Sequence, residues 1–76
     1  MTILEKINAA AELNPTVNGF VRKDGVVKQS FTLVKDAETP GNFYLQGRVA
    51  ASKPAAVFAD IFEKAESDGM LVEILQ

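Results

Sequence analysis

The side chains best suited to chemistry in this chain alternate along two stretches of extended sequence. Lys28, Ser30 and Thr32 occupy every second position of one, and Tyr44, Gln46 and Arg48 every second position of the next. In strands, residues so spaced share one face. A sheet face that shows a tyrosine between cations can stack a base and hold its phosphate. The same residues can anchor a protein partner, for which Tyr and Arg are favoured, or form an ordinary solvated face.

A second set is acidic. Asp60, Glu63, Glu66, Asp68 and Glu73 lie near the end of the chain, interrupted by Lys64. Residues 52–76 carry two basic and five acidic groups, whereas residues 1–51 carry six basic and five acidic. Such a face suits a partner with a basic surface. Asp60 and Glu63 lie three apart on one helical face, a spacing that invites acid–base or metal chemistry. That chemistry needs burial or close approach to drive carboxylate pKa values apart, and the apolar stripe lies on the opposite side. No calcium-loop pattern is present.

Other catalytic arrangements fail on composition. The chain has no cysteine and no histidine. This excludes disulfides, thiolate nucleophiles and cysteine-based zinc sites. Ser30, Ser52 and Ser67 have no histidine base, and no serine–lysine pattern is evident. The glycines fit neither the Rossmann nor the P-loop spacing. No cofactor and no metal is expected.

The elements that position these residues follow from periodicity. Ile3, Leu4, Ile7, Ala10 and Ala11 predict a helix over 3–13. Thr2 caps it, with Glu5 as capping-box partner, and Asn14-Pro15 ends it. Asp24-Gly25 predicts a hairpin joining strands 16–23 and 26–35. A regular two-residue hairpin sets Lys23 opposite Val26, Phe20 opposite Gln29 and Asn18 opposite Phe31. Val27, Phe31, Leu33 and Phe20 then form the core face, with Arg22 sharing it near the turn. Residues 36–42 form the longest connection, a contact candidate through Thr39, Pro40, Asn42 and Phe43. A third strand is predicted over 43–51, with Phe43, Leu45, Gly47 and Val49 inward. Gly47 there suggests a close helix approach or a bulge. A second helix over 53–67 takes Ser52 as cap and Pro54 in its first turn, with Val57, Phe58, Ile61, Phe62 and Ala65 as its apolar stripe. Gly69 stops it. A final strand over 70–75 is either central or an edge that pairs with a second copy, through Met70, Leu71, Val72, Ile74 and Leu75.

The predicted fold is one compact α+β domain over residues 1–76. It has two layers in the order α-β-β-β-α-β, with two helices on one face of an antiparallel sheet. The part α-β-β-β-α, over residues 3–67, resembles a double-stranded RNA-binding domain in element order. That family's last helix opens with a lysine-rich segment. The matching stretch here, Ser52-Lys53-Pro54-Ala55-Ala56, carries one cation, and the helix after it is acidic.

Seventy-six residues is near the lower limit for a self-sufficient core, so a homodimer would add useful burial. The longest apolar runs fall far short of the ~20 residues needed to span a bilayer, and no signal-peptide pattern opens the chain. A cytoplasmic location is the default. These readings converge on a small, acidic, non-enzymatic protein that binds another protein as adaptor, regulator or inhibitor. Expected protein-binding residues are Lys28, Tyr44, Gln46, Arg48, Asp60, Glu63 and Glu66. The alternatives are a nucleic-acid-binding module using the exposed sheet face, or a structural subunit of a homo-oligomer.

Overall fold

The computed structural model describes all 76 residues. Helix α1 spans Ile3–Leu13 and α2 spans Ala55–Ser67; the strands are β1 (Thr16–Lys23), β2 (Val26–Lys35), β3 (Asn42–Leu45), β4 (Lys53–Pro54) and β5 (Leu71–Ile74). The predicted order holds, with the two-residue β4 added before α2. All strand pairs are antiparallel, and the sheet order is β4-β3-β2-β1-β5. Both helices pack on one face of this sheet. No helix is long and apolar enough to cross a membrane.

Helix α1 begins as its sequence dictates. Thr2 accepts a hydrogen bond from the Glu5 N–H at 3.1 Å, and Glu5 Oε1 accepts from the Thr2 N–H at 2.8 Å. The Thr2 N–H, then the Thr2 hydroxyl, holds the Glu5 carboxyl below its ordinary range. The helix buries Ile3, Ile7, Ala10 and Ala11 against Val17, Phe31, Leu33, Phe43, Val72 and Ile74 of the sheet and Ala55, Phe58, Ala59 and Phe62 of α2. This single cluster is the core. Val57 and Ile61 stand outside it, Ile61 at 51 % exposure. The stripe that α2 buries is therefore rotated from the predicted one, toward Ala55 and Ala59, whose small side chains let the helix lie close.

The hairpin corrects the predicted register. Asp24 and Gly25 both have positive φ, 53° and 78°, the turn geometry that matches strand twist. Lys23 faces Val26 and Arg22 faces Val27 as expected, but then Val21 faces Gln29. Lys28 is the extra residue of a β-bulge. Past it every partner shifts by one: Phe20 meets Ser30 and Asn18 meets Thr32. A one-residue slip exchanges the two faces of a strand. Val17, Gly19 and Val21 consequently point to the helices. Phe20 and Arg22 lie on the open face, with the guanidinium 4.8 Å from the Phe20 ring centroid. Val27, expected in the core, is 45 % exposed.

Gly19 is the strand position that needs a glycine. A Cβ there would run into the Glu73 carbonyl oxygen and come within 2.5 Å of Phe31 Cζ. Phe31 itself stacks on Phe62 of α2, ring centroids 4.6 Å apart.

The third strand is shorter than predicted. β3 ends at Leu45, because Gly47 takes φ +86° and turns the chain out of the sheet. No helix approaches Gly47, and Val49 is exposed in a 3-10 turn spanning Val49–Ala51. Lys53–Pro54 then pairs with Asn42 and Phe43 as β4, which delays the start of α2 to Ala55. Ser52 does not cap that helix; its hydroxyl is bound to Asp36.

Candidate functional site

β2 is ten residues long and β3 is four. The lengths decide where the sheet is left open. β3 covers only Leu33–Lys35 of β2, and the Gln46 N–H adds a bond to the Thr32 carbonyl at 2.9 Å. Beyond that bond no neighbour reaches this side of β2. In an antiparallel pair the N–H and C=O of one residue point to the same side, alternating along the strand. Thr32 turns toward β3, so Ser30 does too, and both Ser30 groups face the gap. The bulge at Lys28 twists the outer end of this edge away.

Two recesses meet at the gap and share Gln29, Phe31 and Leu45 as walls. On the helix side lies an apolar cleft of about 220 Å³ lined by Val21, Phe31, Leu45, Ile61, Phe62 and Met70, among others. Along the edge lies a polar hollow of about 340 Å³ whose walls include Ser30, Thr32, Gln46 and Arg48. Phe31 and Phe62 close the floor of the cleft, while Ile61 and Met70 form its rim.

The residues singled out from sequence are distributed around this gap rather than gathered on one strand face. Arg48 and Gln46 line the hollow, but from the turn after β3 and not from a strand. Lys28 sits at the bulge, exposed. Tyr44 faces Val34, six residues from Lys28 along β2, which corresponds to about 20 Å at ~3.3 Å per residue. Tyr44 lines a separate recess with Lys35, Asp36, Ala37, Glu38 and Val49. A Lys28–Tyr44–Arg48 base-stacking cluster is therefore not assembled.

Asp60, Glu63 and Glu66 are exposed on α2, and no three carboxylates in the fold converge into a metal-binding group. The loop candidates divide: Pro40 and Asn42 line a shallow recess against Asn8 and Glu12 of α1, whereas Phe43 is buried in the core.

β5 is an edge strand. Its alternation is strict, with Val72 and Ile74 buried and Leu71 and Glu73 exposed. The Leu75 N–H donates to the Asn18 carbonyl at 2.8 Å, so by alternation Val72 and Ile74 turn their backbone groups to the outside. Leu71 is 56 % exposed, Leu75 is exposed and Met70 half-buried. Arg22 and Glu73, 3.8 Å apart, make the one ion pair of the fold. Comparison with family models, with curated proteins and with solved structures returns no match.

The open edge at Ser30 leaves no mark in the alternation of the sequence, which continues as strand to residue 51 while β3 ends at Leu45. Gly47, two residues past Leu45, is the available sign that the strand stops early. Ile61, a core residue by its periodicity, and Met70, a self-association residue by its place in the final apolar run, form the rim of the cleft.

Proposed function

We propose that this chain is a small non-enzymatic protein-binding domain, an adaptor, regulator or inhibitor, whose working surface is the open edge of β2. The observation that carries this reading is the unpaired Ser30 N–H and C=O between an apolar cleft and a polar hollow. Edge strands offer backbone hydrogen bonds to any extended segment, and flanking recesses give the selectivity. The action is steric, without covalent chemistry.

The test is affinity capture from extract of the source cells, with and without nuclease, comparing the unaltered chain and Ser30→Pro side by side. The Ser30 N–H faces the gap, so proline there removes a docking donor without breaking the β1–β2 ladder. A protein retained by the unaltered chain and lost by the variant supports the reading. Retention indifferent to the variant, or lost on nuclease treatment, overturns it.

Self-association through β5 is a second reading, favoured by the free backbone edge of Val72 and Ile74 beside exposed Leu71. It predicts a concentration-dependent mass in sedimentation that Leu71→Glu abolishes.

A further inference from the structure

We infer that the open edge of β2 takes an extended peptide in which aliphatic and acidic side chains alternate. The inference rests on the protein-binding reading above and names the chemistry of the partner segment. A strand added at Ser30 must send successive side chains to opposite faces. On the helix side they meet the cleft walled by Val21, Phe31, Ile61 and Met70, where a branched aliphatic side chain is the matching shape. On the other side they meet Ser30, Thr32, Gln46 and Arg48.

Charge selects the second class. Arg48 and Lys28 flank the edge, and neither makes an ion pair within the fold. A carboxylate on the outer side of the added strand reaches Arg48, with hydroxyl and amide groups beside it. The exposed charge beside Ile61 on α2 is Lys64, three residues on, whereas Glu63 and Glu66 point to the other side of the helix. A continuous polyanion such as a nucleic acid strand would set phosphates against the apolar cleft, whose walls hold no cation. A peptide avoids this by keeping its charges on the Arg48 side.

A second copy of the chain is a poorer occupant. Its one segment with the right alternation is β5, whose Val72 and Ile74 are already buried in its own core. A β5 edge docked at Ser30 would leave the cleft empty. The bulge at Lys28 and the Gln46–Thr32 bond bound the free edge on either side, so few residues of partner pair directly.

The experiment uses the whole chain, labelled with nitrogen-15, and end-capped seven-residue peptides as probes. One peptide alternates isoleucine with glutamate, a second alternates isoleucine with lysine, and an oligothymidylate strand is the third probe. The expected result is saturable shift changes at the amides of Gln29–Thr32 and Gln46–Arg48 with the glutamate peptide. Affinity for the lysine peptide should be at least about tenfold lower. Arg48→Glu, in an exposed turn, should reverse that preference while leaving the melting temperature unchanged. Equal affinity for the two peptides would overturn the inference. So would shifts confined to Leu71–Ile74, or no saturable binding up to a concentration on the order of 1 mM. If capture of a cellular protein is still lost with Ser30→Pro, such results remove only the ligand class and leave the protein-binding reading standing. Saturable oligothymidylate binding at the same amides, with capture lost on nuclease treatment, removes both.

Discussion

The Ser52 hydroxyl donates a hydrogen bond to Asp36 Oδ2 at 2.5 Å, joining two parts of the chain sixteen residues apart. The other carboxylate oxygen, Oδ1, accepts from the N–H groups of Glu38 at 2.9 Å and Thr39 at 3.3 Å. One side chain thus shapes the loop after β2 and ties it to the residue before β4. It also explains why Ser52 does not cap α2.

These bonds favour the charged carboxylate. The Ser52 hydroxyl, then the Glu38 N–H, holds Asp36 below its ordinary value of 3.8. A carboxyl whose folded pKa is depressed contributes stability that is present above its unfolded pKa and lost as pH falls through the folded one. Denaturant unfolding followed from neutral pH down through pH 4 should therefore show a fall in stability that is shallower in Asp36→Asn. Ser52→Ala should bring the Asp36 titration, read by carbon-13 NMR, back toward the ordinary value. An unmoved titration in Ser52→Ala would sink this account.

Gly19→Ala should destabilise the fold by about 1–3 kcal/mol, the usual cost of overpacking. The added methyl meets the Glu73 backbone and the Phe31 ring, and the backbone of β5 has no flexible end to yield. Urea unfolding reads the effect. A midpoint equal to that of the unaltered chain would show that β1 and β5 are not so close.

The bulge at Lys28 is tested by a pair of variants on β2. Leu33→Ala should cost about 2–5 kcal/mol, because Leu33 is fully buried. Val27→Thr should change stability by less than about 0.5 kcal/mol, because Val27 is a surface position. A large loss with Val27→Thr would restore the regular hairpin and its opposite facing of residues.

Phe62→Ala should cost about 3–5 kcal/mol. It removes the partner of the Phe31 ring and the floor of the apolar cleft. Ile61→Ala, one residue away on the rim, should stay near neutral in stability while weakening any aliphatic ligand. Thermal melts and peptide titration on both variants separate the two roles.

Local signals were readable in the sequence, and tertiary ones were not. The capping box at Thr2 and Glu5, the Asn14-Pro15 stop and the Asp24-Gly25 turn all act within a few residues, and each appears where its chemistry places it. The bulge leaves no such mark, since Lys28 resembles any solvent-facing strand residue; missing it put Phe20 and Val27 on the wrong face. The early end of β3 and the late start of α2 depend on Gly47 and on the Asp36–Ser52 bond, the latter a contact distant in sequence. Arg48 and Gln46 were identified by residue type, but their place in a turn beside a gap follows from the unequal lengths of β2 and β3.

The position of β5 beside β1 also bears on how the chain is made. Phe20 and Glu73 are partners more than fifty residues apart. Synthesis proceeds at ~5–20 residues per second, so β5 is made several seconds after the β1 segment it pairs with. During that interval the β1 edge stands uncovered and the places of Val72 and Ile74 are empty. β5 acts as a latch, made after the four other strands, that closes the β1 edge only once that delay is over.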